Sequence, residues 1–143
     1  MRADFYILSE PGASGRLKVA CRLAEKAYQT GQRVLIWHSD KEELTRLDEL
    51  LWTFSDTSFV PHEWVDGGQD APVLLSAGAH PAGPIGVLIN LATAPEPPPS
   101  AAVAERVAEI VAPEPPQREA ARARFRAYRQ LGCEPVTHTL RGA

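Results

Sequence analysis

The chain opens with a strand, a helix and a second strand inside about 35 residues, and this unit constrains the fold more than any other feature of the sequence. Ala3 to Leu8 (ADFYIL) is an apolar and aromatic run closed by Ser9, Glu10, Pro11 and Gly12, the pattern of a buried strand leading into a turn. Leu17, Ala20, Cys21, Ala24, Ala27 and Tyr28 then recur at helical spacing, and Gly31 supplies the stop. Arg33 to His38 (RVLIWH) reads as the second strand. Strands joined by a helix of this length pair in parallel through a right-handed crossover.

The alternation continues along the chain. Ser39-Asp40-Lys41-Glu42 has the form of a capping box opening a second helix, whose Leu44, Leu47 and Leu51 face the core. Trp52 lies about 100° from Leu51 on the helical wheel, which puts the indole at the edge of the buried face. Phe59 to His62 is extended, because a residue preceding proline is pushed out of the helical region. Pro72 to Leu75 and Ile85 to Leu91 are two further strands. After Pro95 to Pro99 (PEPPP), Ser100 can cap a short helix, and Val107 to Val111 either continues it or forms a strand. Pro113, Pro115 and Pro116 precede a last helix, Arg118 to Leu131, ended by Gly132. The expectation is a single α/β domain over residues 1–143, a three-layer α/β/α Rossmann-like sandwich with a mostly parallel sheet.

With 143 residues, 44% of them hydrophobic, the chain can build one core without disulfide or metal, and its two cysteines belong to no ligand-like spacing. No apolar run approaches the roughly 18 residues of a membrane span, so a reduced, cytoplasmic protein is expected. The net charge of -3 conceals an asymmetry: residues 117–143 carry six arginines against two glutamates, and the rest of the chain nine basic against sixteen acidic side chains. A basic C-terminal segment on an acidic protein suits an anionic partner better than it suits wrapping of duplex DNA.

Motifs for catalysis are missing. The loop after the first strand, Glu10-Pro11-Gly12-Ala13-Ser14-Gly15-Arg16-Leu17, has two residues between its glycines, then Arg and Leu where a phosphate loop needs Lys and a hydroxyl. His38, His62, His80 and His138 stand isolated, without metal-ligand spacing, and Cys133 has no identifiable histidine partner. The acidic pairs Glu42/Glu43 and Asp48/Glu49 fall on a helix surface. The expectation is therefore no catalytic residue, no metal and no cofactor.

Two surface features remain. Arg118, Arg129, Arg122 and Arg126 fall within an arc of about 80° of the last helix, bordered by Phe125, Ala121 and Tyr128. Such a stripe beside an apolar notch suits a short acidic peptide with an aromatic anchor, although the same pattern arises when Phe125 and Tyr128 are core and the arginines only solvate the helix. The second feature is the cluster of Trp52, Phe54, Phe59, Val60, Pro61, His62 and Trp64, which either caps the sheet edge or forms an exposed aromatic interface.

Phe5-Tyr6-Ile7-Leu8, Cys21 to Ala27, Gly31 to Ile36, Leu47-Asp48-Glu49-Leu50-Leu51-Trp52, Ser58-Phe59-Val60-Pro61-His62, Ile89-Asn90-Leu91, Arg106 to Val111 and the Arg118 to Gly132 helix together resemble the chi subunits of bacterial DNA polymerase III. The pairing of L-D-x-x-L-W with F-V-P-H is the specific part. The resemblance implies a Rossmann-like domain without a working nucleotide site, and a non-catalytic adaptor of a complex that has DNA polymerase activity. It implies a 1:1 heterodimer with the psi subunit, and through psi the clamp loader, on a patch of Trp52, Phe59, Val60, Pro61 and His62, with a helicase as a further candidate for that patch. It also implies that Arg118, Arg122, Phe125, Arg126, Tyr128 and, by continuation of the stripe, Arg129 hold the acidic C-terminal tail of single-stranded-DNA-binding protein. DNA would be met only indirectly, at the replication fork, and the Val107 to Val111 segment would be a strand. Residues after Glu134 carry no assignment. A direct single-strand binder and a small nucleotide-binding enzyme are the competing readings.

Overall fold

The computed structural model describes residues 1–56 and 59–140, without the side chains of Ala13 and Ser14. Ser58 of the resemblance and Arg141 of the basic segment lie outside the described residues. In chain order the elements are β1 (Arg2–Leu8), α1 (Ala13–Gln29), β2 (Val34–Trp37), α2 (Lys41–Thr53), β3 (His62–Trp64), β4 (Val73–Ser76), β5 (Ile85–Asn90), β6 (Ala104–Val111), α3 (Pro115–Gln130) and β7 (Val136–Leu140). The seven strands form one sheet in the order β3-β4-β2-β5-β6-β1-β7, and every described pairing is parallel.

The period of two along each strand divides the interior into two cores. Leu8, Ile36, Leu75, Ile89 and Ile110 face α1 and α2, where they meet Leu17, Ala24, Leu44, Leu47 and Leu51. Phe5, Leu35, Leu74, Leu88 and Val107 face the other way, toward Ala121 and Tyr128 of α3 and two 3-10 turns at Val65–Gly67 and Pro99–Val103. Helices thus cover both faces of a parallel sheet, the expected sandwich.

Several local expectations are corrected. The cap of α2 is Asp40, not Ser39: its Oδ1 accepts from the backbone N–H groups of Glu42 and Glu43 at 3.0 and 3.3 Å. A carboxylate there also complements the helix dipole, which a serine does not. Ser100 caps nothing, because it lies inside the 3-10 turn with its hydroxyl 2.6 Å from His80 Nδ1. Of the two readings of Val107 to Val111 the strand implied by the family resemblance holds: residues 104–111 form the eight-residue β6. The extended segment enters the sheet three residues late, so that β3 begins at His62 and forms one edge. The other edge, β7, follows α3 and has no counterpart in the sequence expectations.

Candidate functional site

A groove of about 300 Å³ runs between α3 and the β6-β1-β7 end of the sheet. Phe5 and Ile7 of β1 with Val111 of β6 form its floor, Ala121 and Phe125 its helical side, and Thr137 of β7 its outer margin. Arg118, Arg122 and Arg126 line it from above, and all three are exposed. These three placements follow from helix geometry, since residues four apart share a face. The aromatic side is rigid: the Phe5 and Phe125 rings meet at 5.3 Å and the Phe5 and Tyr128 rings edge-on at 5.9 Å. Guanidinium groups over an apolar trough can hold carboxylates while a ring or aliphatic side chain enters below.

The stripe read from the sequence is therefore split by depth. Arg129 is exposed but does not line the groove. Tyr128 must be removed from the ligand-facing set, because it is fully buried and its hydroxyl donates to Glu109 Oε2 at 2.7 Å. Its work is to support Phe5 from behind. Phe5, Ile7, Val111 and Thr137 were not legible as site residues, since no helical wheel shows what a strand places opposite a helix.

Beneath the groove α3 is tied down by a buried polar network. Glu109 of β6, wholly buried, accepts from Arg124 Nε at 2.9 Å, Tyr128 Oη at 2.7 Å and Asn90 Nδ2 at 2.9 and 3.1 Å. Arg124 also donates to the Ala94 carbonyl at 2.6 Å. Burial pushes the Glu109 carboxyl above its ordinary range, against the opposing pull of Arg124, Tyr128 and Asn90. Six of the sixteen residues in α3 are arginine or tyrosine and only two are large aromatics, so this network rather than bulk apolar packing fixes which face of α3 points outward.

At the opposite end of the sheet lies an aromatic corner. Trp52 is 55% exposed and Phe59 64%, with ring centroids 5.6 Å apart. The other members of the expected patch are not all surface. Val60 is 1% exposed and belongs to the core, and the His62 side chain is buried, which corrects both placements. His62 is held on two sides, by Asp48 Oδ1 at 2.8 Å and the Val60 carbonyl at 2.7 Å, while Trp64 Nε1 donates to Asp48 Oδ2 at 3.2 Å. Its ring supports Trp52 at 4.6 Å, and Pro61 is half-buried beside it. The fixed Asp48-His62 pair thus props an exposed Trp-Phe knob.

The crevice at the carboxyl ends of the strands, where open α/β sheets hold ligands, is occupied by the protein itself. Gly12 takes a φ of +122° at the start of α1, a backbone that favours glycine. Four residues on, Arg16 turns inward: it donates to the Leu91 carbonyl, and its Nη1 lies 4.0 Å from Glu43 Oε1. Glu43 Oε2 in turn sits 3.3 Å from His38 Nε2, whose Nδ1 accepts from the Asp40 backbone N–H at 3.2 Å. Burial lowers the pKa of His38, partly offset by Glu43. The cavity beside Arg16 has no room for a water-sized guest. No group of three or more metal-ligating side chains occurs among the described residues, and no described helix is long and apolar enough to cross a membrane.

Known proteins share this arrangement of sequence. The family model described as DNA polymerase III chi subunit, HolC, matches residues 1–136. The DNA polymerase III subunit chi of Pseudomonas aeruginosa is 41% identical over 139 residues, covering 97% of this chain and 96% of its own length. That of Escherichia coli K12 is 32% identical over 144 residues, covering 96% and 97%. An all-parallel sandwich, the Leu47 to Trp52 helix end beside the Phe59 to His62 segment, and these full-length matches agree, and the chain belongs to the DNA polymerase III chi subunit family.

Proposed function

We propose that this chain is a non-catalytic accessory subunit of the replicative polymerase, which bridges the clamp-loader complex to protein-coated single-stranded DNA. The bridge has two ends. The psi subunit takes the aromatic corner, with Trp52 and Phe59 as its contact side chains. The acidic C-terminal tail of single-stranded-DNA-binding protein takes the groove, with Arg118, Arg122 and Arg126 on its carboxylates and its terminal phenylalanine beside Phe5 and Phe125. The observation that carries the reading is the groove itself: three exposed guanidinium side chains above an apolar trough of about 300 Å³, the size of a single anchor side chain with its flanks. Arg16 filling the crevice supports a role without a nucleotide, and in this reading the protein works in the cytoplasm at the replication fork.

The test is a titration of the purified protein with a fluorescent peptide copying the last residues of the cognate single-stranded-DNA-binding protein, beside one lacking the terminal Phe. The expected result is micromolar binding of the intact peptide only, weakened by salt. Failure of both peptides to bind would reduce the arginines to solvation of α3.

A further inference from the structure

We propose that Thr137, on the C-terminal edge strand β7, determines which side chain the groove admits; this rests on the reading of the groove as a peptide-anchor site. In the β1-β7 ladder Phe5 stands opposite Thr137, so the two side chains share the α3-facing side of the sheet. Thr137 lines the groove, and β7 is the edge strand of the sheet, so among the described residues nothing beyond it bounds the trough.

The remaining walls differ in how they can respond to a ligand. Phe5 and Phe125 are packed against each other at 5.3 Å, and the Phe5 ring rests on the buried Tyr128, so this side is fixed. The arginines are long and exposed and can move aside. Thr137 is short and β-branched, with few rotamers, and stands on a strand that is pinned from its reverse face. There His138 Nε2 donates to the buried Asp4 at 2.9 Å and its ring stacks on Tyr6 at 4.8 Å. A rigid boundary of small volume facing a rigid aromatic wall converts side-chain size at position 137 directly into groove width. The edge strand is then the gauge of the site.

The experiment uses the full chain and three probes: an acidic peptide ending in Phe, the same peptide ending in Val, and N-acetylphenylalanine followed by NMR. For Thr137→Leu the Phe-ended peptide should weaken roughly tenfold while the Val-ended one changes less than about twofold, compressing the preference between them. Thr137→Ala, which widens the groove, should hold the fold, since the position is exposed, and should shift the ratio of the two affinities toward the Phe-ended peptide. If the wild-type protein binds the peptides and Thr137→Leu leaves their ratio unaltered, the inference falls and the tail reading stands. If the peptides fail to bind but N-acetylphenylalanine shifts the Thr137 resonances and is lost in Thr137→Leu, the tail reading falls and the gauge stands. No response to any probe overturns both.

Discussion

The two ends of the sheet hold similar residues arranged in opposite ways. At the β7 end the aromatic rings are sunk and the charges are exposed; at the β3 end the charge is folded inward, as Asp48 on His62 and Trp64, and the rings stand out. The first is a receptacle and the second an insert. A receptacle selects by shape and charge and tolerates exchange, whereas a protruding Trp-Phe pair gains most by being buried in a partner's pocket, where such anchors dominate binding energy. What separates the two is the fate of a carboxylate at each end: Glu109 draws α3 down and leaves Arg118, Arg122 and Arg126 exposed, while Asp48 props up a histidine and through it an indole.

That contrast can be broken most forcefully at its roots. Glu109→Ala leaves the Arg124 guanidinium buried without its counter-ion and should cost about 3–5 kcal/mol in urea unfolding. Among molecules still folded, affinity for the tail peptide should fall and psi binding should persist. Arg122→Ala should remove a charge-assisted contact worth roughly 1.5–3 kcal/mol from tail binding, measured by anisotropy, with psi titrations unchanged. Phe59→Ala should do the converse, weakening psi by about 2 kcal/mol while shifting thermal stability by less than about 0.5 kcal/mol, because the ring is exposed. A large drop in stability would mean the ring is core and the corner no interface.

The smallest effect concerns pH. Burial alone would raise the Asp4 carboxyl, but hydrogen bonds from His138, Arg106 and Arg2 outweigh it and hold the group below its ordinary value of 3.8. Its stabilising contribution is therefore complete above about pH 4 and lost as the pH falls through the lower folded value. Since Asp4 binds His138, acidification from about pH 5 to about pH 3 should lower the amide-exchange protection factors of residues 136–140, the observed rates being corrected for the slower intrinsic exchange in acid. Unchanged protection of residues 136–140 across that range would remove Asp4 as a latch.

How much of this was legible beforehand depended on whether a feature repeats locally. The α1 and α2 stripes and the arginine face of α3 follow from a period of 3.6, and the structure keeps them. Depth does not follow from period. Tyr128 and Phe125 are neighbours on the wheel, yet one lies in the groove wall and the other on Glu109, a residue nineteen positions away. The useful signal was a lone acid within the apolar run Val107-Ala108-Glu109-Ile110-Val111, which requires a buried cation, and Arg124 was available. At the other end, aromatic density marks an interface without saying which members support it, so Val60 and His62 cannot be told in the sequence from the exposed Trp52 and Phe59. β7 stayed unread because Val-Thr-His-Thr-Leu is short and half polar, as an edge strand needs to be.

The groove and the corner sit at opposite margins of seven strands, roughly 29 Å apart across six spacings. A pull applied between partners at those margins would run perpendicular to the strands, along the inter-strand hydrogen bonds. Under such tension a sheet opens as a zipper, one ladder at a time, whereas a load along the strands would shear many bonds together. In the proposed role, a link between a loader and coated DNA built this way would have a low mechanical threshold, and the β3 ladder, with three residue pairs against four to six in the others, is the place where it would yield first.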